Sequence, residues 1–420
     1  MTFIARPQPK ISAVLHPPTG WYQLIFRYSK WLSSGLVISL GLSLQAEEAK
    51  AVAFTFTNIA DSRGSFSDFY IPLGDGVFVS DPAINDKGTV VFQSFLDAGG
   101  EGIFTGSGGE TTTIANTSGS FSRFADNEPT INNEGTVAFF AGLDTGGQGI
   151  FTSSGGEIAE VADLSDLSSS TFVYNPAIND EGTVAFSTSG PGGSGILTSS
   201  GSETTKVVDN SSPFFASVSD PAINNDGTVA FRATLEDAEG QGIFTSSGGE
   251  ITTIVDNSGS FDSIINPVIN NEGTVAFEAR LDDTGGNGIF TGSGGETTTI
   301  ADNSGAFSSF IDLALNDQGT VAFQAALDAG GEGIFTGSDL FADKVIATGD
   351  SLFGSTVTSL FFQNNGLNNS GQIVFTAGLA DGTQGVFRAE PVPEPSEALG
   401  TLALGVLGVR YLLKRKQKKQ

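Results

Sequence analysis

Acidic side chains recur at two fixed places in a unit that repeats along this 420-residue chain. The first set lies in loops of the Leu-Asp-x-Gly-Gly type and comprises Asp97, Asp144, Asp237, Asp282, Asp328 and Asp381. The second set lies in or near loops of the Asp-Asn-Ser-Gly kind and comprises Asp61, Asp163, Asp209, Asp256, Asp302 and Asp350. Carboxylates beside Gly-rich backbone are ligands for Ca²⁺ or a cationic sugar, and paired carboxylates are the machinery of a glycan hydrolase.

The same acids have a simpler interpretation as solvated turn residues that cap their own backbone. Their spacing fits neither an EF-hand nor a nonapeptide calcium loop, which favours this interpretation. No acid pair stands out as a catalytic pair. We therefore predict no catalytic residue, no metal ligand and no resident cofactor, with Ca²⁺ as the alternative, and we predict that the protein is not an enzyme.

Composition removes several other classes of site. The chain has no cysteine, and its only histidine, His16, and only methionine, Met1, lie near the N-terminus. This excludes thiolate and imidazole metal sites and histidine-based triads from the rest of the chain. Residues 52–390 hold eight Lys/Arg against 43 Asp/Glu, a net charge of −35. Such a surface repels nucleic acid and anionic membranes and attracts cations or basic polymers.

These acids are positioned by a repeat, Asn-x-x-Gly-Thr-Val-Ala-Phe, which stands complete at residues 270–277. Asn and Gly suit a tight turn, because Gly adopts the left-handed conformation that closes it. We assign a structural role in repeat turns to Asn85, Gly88, Asn132, Gly135, Asn179, Gly182, Asn224, Gly227, Asn270, Gly273, Asn316, Gly319, Asn368 and Gly371. The glycines are 45 to 52 residues apart, a period typical of propellers and solenoids.

Each unit reads as four short strands. The first is short, as in Asp220–Ile223, and the second is Thr-Val-Ala-Phe, with Val and Phe on one face. The third contains Gly-Ile-Phe, and the fourth resembles Thr297–Ala301. Four antiparallel strands per unit predict an all-β, seven-bladed β-propeller over residues 54–390. An open β-solenoid is the alternative.

The ends of the array favour a closed ring. The seventh unit stops after its third strand, at Phe387, while residues 58–66 match the fourth strand and following loop at 299–307. We therefore expect the N-terminal strand to complete the last blade and to cover its exposed edge.

Residues 1–53 are predicted to be a signal peptide. Arg6, Lys10, Arg27 and Lys30 precede an apolar stretch from Leu32 to Leu44, and small residues allow cleavage after Ala51 or Ala53. An uncleaved anchor is the alternative.

Residues 391–420 combine Pro393-Glu394-Pro395, a short apolar segment from Ala398 to Leu413 suited to a transmembrane helix, and a basic tail. This order resembles the PEP-CTERM sorting signal. The resemblance implies that Pro393, Glu394 and Pro395 are recognised by an exosortase-type membrane protease in Gram-negative bacteria that make exopolysaccharide. It also implies transient inner-membrane anchoring before the protein reaches the cell surface or extracellular matrix.

The repeat itself resembles the choice-of-anchor tandem-repeat proteins that contain NxxGxxAF, a group without an established activity. Together the patterns predict an exported, exosortase-sorted protein of the cell envelope or matrix. Its propeller would be a non-catalytic binding scaffold, associated with exopolysaccharide and not with nucleic acid. The alternatives are a calcium-dependent carbohydrate-binding module and a carboxylate-based glycan hydrolase.

Overall fold

A computed structural model describes residues 52–69, 82–124, 129–165, 172–191, 193–210, 215–235, 240–282 and 285–392. The regular structure in these ranges is entirely β-strand. The predicted leader up to Ala51, the sorting motif Pro393–Pro395 and the apolar segment with its basic tail lie outside the described residues. Within the described ranges, no helix is long and apolar enough to span a membrane.

The strands fall into seven antiparallel sheets. The first sheet contains β2 (Phe66–Asp68), β3 (Ala83–Ile84), β4 (Val90–Leu96), β5 (Glu101–Gly106) and β6 (Thr112–Asn116), and the second contains β7 (Phe121–Phe124), β8 (Thr130–Ile131), β9 (Val137–Leu143), β10 (Gln148–Ser154) and β11 (Glu157–Asp163). The third sheet contains β12 (Phe172–Ile178), β13 (Val184–Gly190), β14 (Gly193–Ser200) and β15 (Glu203–Asp209). The fourth contains β16 (Phe215–Ile223), β17 (Val229–Leu235), β18 (Gln241–Ser247) and β19 (Glu250–Asp256).

The fifth sheet contains β20 (Phe261–Ile269), β21 (Val275–Leu281), β22 (Asn287–Gly292) and β23 (Thr298–Asp302), and the sixth contains β24 (Phe307–Leu315), β25 (Val321–Leu327), β26 (Glu332–Phe335) and β27 (Lys344–Ala347). The seventh contains β28 (Ser351–Leu352), β29 (Ser355–Phe361), β30 (Ile373–Leu379) and β31 (Gln384–Pro391), together with the N-terminal strand β1 (Phe54–Asp61). Each sheet is one blade of a seven-bladed propeller, so the predicted fold is confirmed. Its strands are called first to fourth, from the channel outward.

The N-terminal strand closes the ring. β1 pairs with β31 from Phe54 opposite Pro391 to Asp61 opposite Gly385, and so serves as the fourth strand of blade seven. Arg388 on β31 strengthens the seam, because its guanidinium donates to the Gly88 carbonyl of blade one and to the Glu390 carboxylate. The pairing covers the edge of β31 that would otherwise be exposed where the ring closes.

The core fills the spaces between blades. Val275 and Phe277 of blade five pack in one cluster with Ala230 and Ile243 of blade four. The motif phenylalanines, one per blade, are fully buried: Phe92, Phe139, Phe186, Phe231, Phe277, Phe323 and Phe375. Alternation along the second strand thus sends Val and Phe towards the preceding blade and Ala towards the following one.

The first strand of blades four to six is longer than predicted. In blade four it runs from Phe215 to Ile223, nine residues rather than the short Asp220–Ile223 segment. The pairing register shifts between Ser219 and Ala222, and Asp220 adopts a φ of +54° directly before Pro221. Proline cannot donate to the ladder, so a bulge accommodates it and the strand continues beyond the point where the sequence pattern breaks.

Two faces follow from this topology. The turn face carries the Asn-x-x-Gly turns between first and second strands and the loops between third and fourth strands, such as residues 293–297. The loop face carries the connections between second and third strands, such as residues 97–100, and those from one blade to the next, such as residues 303–306.

Candidate functional site

Each Asn-x-x-Gly segment on the turn face is a closed turn. In blade two the Asn132 side-chain oxygen accepts hydrogen bonds from the backbone N–H groups of Glu134 and Thr136, at 3.1 and 2.8 Å. The Gly135 N–H donates to the Asn132 carbonyl at 3.0 Å, with a φ of +89° at Gly135. A side chain at this φ is strained, which accounts for the repeated glycine.

The motif asparagines also join the blades in a ring. The Asn85 side-chain N–H donates to the Asn132 carbonyl, Asn132 donates to the Asn179 carbonyl, and the pattern continues until Asn368 donates back to the Asn85 carbonyl. The seven bonds are 2.9 to 3.3 Å long, and the asparagines are only 3–5% exposed. Each asparagine of this inner ring thus uses its side-chain oxygen within its own turn and a side-chain N–H in the ring, which is the pattern of a structural residue.

A second ring lies beside it, formed by the residue after each motif Asn. Its members are Asp86, Asn133, Asp180, Asn225, Asn271, Asp317 and Asn369. Each backbone N–H donates to the side-chain oxygen of the next member at 2.7–2.9 Å, and Asn369 closes the ring onto Asp86. This ring is not among the features predicted from the sequence, although an Asp or Asn at this position in all seven units is a signal for it.

We call this second ring the outer ring. Asp and Asn alternate around it except at one place, because a ring of seven members cannot alternate completely. Each of its three carboxylates accepts hydrogen bonds from the amides on both sides; Asp180, for example, accepts from Asn133 and Asn225 at 3.1 and 2.7 Å. The one pair of like neighbours is Asn225 and Asn271, so no two carboxylates are adjacent. This arrangement avoids like-charge repulsion while pairing every carboxylate.

The central channel contains two small cavities. One of about 150 Å³ is lined by both rings and by one aliphatic side chain per blade: Ile84, Ile131, Ile178, Ile223, Ile269, Leu315 and Leu367. On the other side of this aliphatic layer, a cavity of about 140 Å³ is lined mainly by Pro, Ala and Ile, with Asn364 and Asn365 from blade seven.

The predicted acids within the described residues lie on the loop face, and they do not converge on a common centre. Asp256 and Asp302 accept hydrogen bonds from the Ser two residues later, as Asx caps. Asp350 pairs with Lys344 at 2.9 Å. Asp237 lies outside the described residues. In the described part of the chain, no group of three or more His, Cys, Asp or Glu side chains is arranged to hold a metal ion.

Local hydrogen bonds set the charge of several of these acids. Burial alone would raise the pKa of Asp61, but hydrogen bonds from Arg63 and Asn58 outweigh it and lower the pKa. Hydrogen bonds from Ser165 lower the pKa of Asp163, and those from Thr383 lower the pKa of Asp381. These three carboxylates are therefore held ionised as caps, which makes them poor proton donors.

One buried acid escaped the sequence analysis. Glu278 follows the motif Phe277 in blade five, and burial raises its pKa to about 7. Among the described residues, no hydrogen bond or ion pair engages its carboxylate. None of the equivalent residues in the other blades is acidic; they are Gln93, Phe140, Ser187, Arg232, Gln324 and Thr376. Glu278 is therefore not part of the repeat pattern, and only its buried position distinguishes it. A lone buried acid without a second carboxylate does not make a hydrolase pair.

Comparisons with known proteins identify a family and a fold. A family model described as "Family of unknown function (DUF7453)" matches residues 73–399. No curated protein matches the chain in sequence.

Among solved structures, an oligogalacturonate lyase in complex with manganese is 12% identical, with a TM-score of 0.51 over 82% of this chain and 97% of that one. The polysaccharide lyase Uly1 is 10% identical, with a TM-score of 0.46 over 82% and 98% of the two chains. TolB from Acinetobacter baumannii is 13% identical, with a TM-score of 0.34 over 73% and 64%. At these identities, the likeness concerns the propeller fold alone.

Proposed function

The chain belongs to the DUF7453 family, whose description assigns no function, and we propose that it is a non-catalytic binding scaffold of the cell envelope or matrix. In this proposal the leader exports the chain, and the C-terminal segment holds it at the inner membrane until an exosortase-type protease acts at Pro393-Glu394-Pro395. The propeller then associates with exopolysaccharide through its loop face.

The observation that carries the proposal is that the chain enters and leaves the propeller at the same place. Phe54 pairs with Pro391, and the Val392 N–H donates to the Ala53 carbonyl at 2.8 Å. Both strands reach this point on the turn face. A leader and a sorting segment attached there leave the loop face free for a partner.

Charge supports a particular class of polysaccharide. With a net charge of −35 over residues 52–390, the surface disfavours polyanions and favours a neutral or amine-bearing polymer. The named substrate of the oligogalacturonate lyase is a polyanion, so its fold likeness does not extend to this choice of partner. The exposed acids of the loop face, among them Asp97, Asp144 and Asp328, are the groups that such a polymer would meet.

The local use of the acids supports a non-catalytic role. The loop-face carboxylates that cap Ser258 and Ser304 hold their own loops, and Glu278 has no carboxylate partner among the described residues. A hydrolase requires an acid and a second carboxylate on opposite sides of one bond.

A binding experiment tests this function. We expect the full chain to be retained on the host's exopolysaccharide and on a partly deacetylated polymer of N-acetylglucosamine, with retention falling as salt rises. We expect no retention on polygalacturonate and no release of reducing ends from a glycan panel. Retention on polygalacturonate, or turnover of any glycan, would contradict the proposal.

Sorting is tested separately. With Pro393, Glu394 and Pro395 all replaced by alanine, we expect the chain to remain at the inner membrane. Normal release of this variant would refute the sorting part of the proposal and leave the binding part intact.

A further inference from the structure

Three of the seven exposed large hydrophobic residues among the described residues lie where the chain enters and leaves the propeller. They are Val52, Phe341 and Val392, which are 43%, 85% and 43% exposed. We call these three residues the exit patch. The other four, Ile158, Ile251, Ile311 and Phe353, belong to four different strands or turns.

Backbone contacts hold the exit patch together. The Val52 N–H donates to the carbonyl of Ala342, the residue after Phe341, at 3.1 Å. The neighbouring Ala53 carbonyl accepts the Val392 N–H. The exit patch therefore connects the loop between β26 and β27 of blade six to the two points where the chain enters and leaves the propeller.

The loop that presents Phe341 is fixed. The Asp339 carboxylate accepts hydrogen bonds from the backbone N–H groups of Phe341 and Ala342, both at 2.8 Å. These bonds, with that of Ala342 the larger influence, lower the pKa of Asp339 and keep it ionised. Phe341 is thus held at the surface beside Val52 and Val392, and an exposed apolar patch of this kind marks an interaction site.

The sequence indicates what that environment is. Only five residues, 393–397, lie between Val392 and Ala398, the start of the apolar C-terminal segment, so six residue steps join the two. Fully extended, they span about 20 Å. If the apolar segment is in a membrane, the exit patch lies within about that distance of the lipid.

We propose that the exit patch is a lipid-contacting surface that orients the propeller with its turn face towards the bilayer and its loop face away. The inference rests on the membrane anchoring included in the proposed function. Phe341 inserts at the level of the headgroups, where aromatic side chains partition readily. Because Glu110, Glu157 and Glu296 are exposed on the same face, the surface suits zwitterionic lipid better than anionic lipid.

Tryptophan fluorescence tests this orientation. The only native tryptophans are Trp21 and Trp31, both in the leader. In a full chain carrying Trp21→Phe and Trp31→Phe, the Phe341→Trp variant has one reporter in the exit patch. The matched control is Phe353→Trp, in the β28–β29 turn on the loop face, where Phe353 is 48% exposed. Both are placed in phosphatidylcholine vesicles with brominated acyl chains, which quench indole emission on contact. A further substitution, Val37→Arg, disables the apolar centre of the leader, so that flotation reports the C-terminal segment.

We expect the tryptophan at position 341 to lose at least about half its emission, and the one at position 353 to be unchanged. Flotation with vesicles but no quenching at either position, or equal quenching at both, would overturn the exit patch while leaving the anchoring proposal standing. A chain that does not float would overturn the anchoring proposal itself, and the exit patch with it.

Discussion

The two faces of this propeller join the blades in opposite ways. On the turn face, an asparagine side chain donates to the carbonyl of the next asparagine seven times in succession. On the loop face, the residue that precedes the Gly-Ile-Phe-type segment contacts the next blade in several blades, and the hydrogen bond differs from one to another. Glu101 accepts from the Phe124 N–H and Ser194 from the Val218 N–H, whereas Gln241 donates to the Asp262 carbonyl.

This difference indicates which face of the propeller can accept changes in sequence. A closed ring of identical bonds tolerates no change at one blade without leaving a buried group unpaired in the next. The loop-face hydrogen bonds differ between blades, so the residues of one blade can change without affecting the bonds of the others. We therefore expect stability to depend on the turn face and recognition to depend on the loop face.

The largest effect is expected at the inner ring. Replacing Asn132 with alanine removes its donation to the Asn179 carbonyl and its acceptance of two backbone N–H bonds. We expect a loss of about 3 kcal/mol in the free energy of unfolding, measured by urea titration. Asp144→Ala, at an exposed position of the same blade on the loop face, is the control and should change stability by less than about 0.5 kcal/mol. Equal losses would remove the distinction between the faces.

The next effect, which is confined to high pH, is expected at Glu278, where the blades differ from one another. Its pKa in the folded state, about 7, lies above its ordinary value of 4.5. The folded state therefore holds the proton more tightly, and stability is lost as pH rises from about 4.5 through 7. Glu278→Gln removes this cost, so we expect it to stabilise the protein by about 3 kcal/mol at pH 8 and by almost nothing at pH 4. Thermal unfolding across this pH range measures the difference, with exposed Glu272→Gln as the control. A pH-independent effect would show that Glu278 is not the titrating group.

The alternation of the outer ring gives the smallest expected effect. Asn225→Asp places a carboxylate beside Asp180 and removes the bond that Asn225 donates to it. We expect a loss of about 1–2 kcal/mol at pH 7, because two adjacent carboxylates repel each other and a hydrogen bond between the blades is lost. Adding Asp180→Asn restores a ring without adjacent carboxylates, because the pair of like neighbours is then Asn133 and the amide introduced at position 180. We expect chemical denaturation to show that the double variant is more stable than Asn225→Asp alone. Additive losses would mean that alternation carries no energy.

The sequence made the blades predictable because their signals are local. Asn and Gly define a turn, and Val and Phe two residues apart define a buried strand face, so seven repeats define seven blades. The matching segments at residues 58–66 and 299–307 also indicated the closing strand, which β1 provides.

The parts that escaped prediction depend on contacts between units. The residue after the motif Asn received no role from the sequence, because its hydrogen bonds are made to the next blade and not within its own turn. The first strand of blade four looked short, because Pro221 breaks the pattern and the bulge at Asp220 restores the pairing. The pKa of Glu278 depends on the packing of neighbouring blades, which the repeat pattern does not contain.

The most direct test of the central claim compares binding by the two faces with charge held equal. One variant carries Asp97→Asn, Asp144→Asn and Asp328→Asn on the loop face; the other carries Glu110→Gln, Glu157→Gln and Glu296→Gln on the turn face. All six residues are exposed, and each variant removes three negative charges. We predict that affinity for an amine-bearing exopolysaccharide falls at least about tenfold in the loop-face variant and by less than about twofold in the turn-face variant. A fall confined to the turn-face variant, or equal in both, would contradict the claim that the loop face is the binding surface.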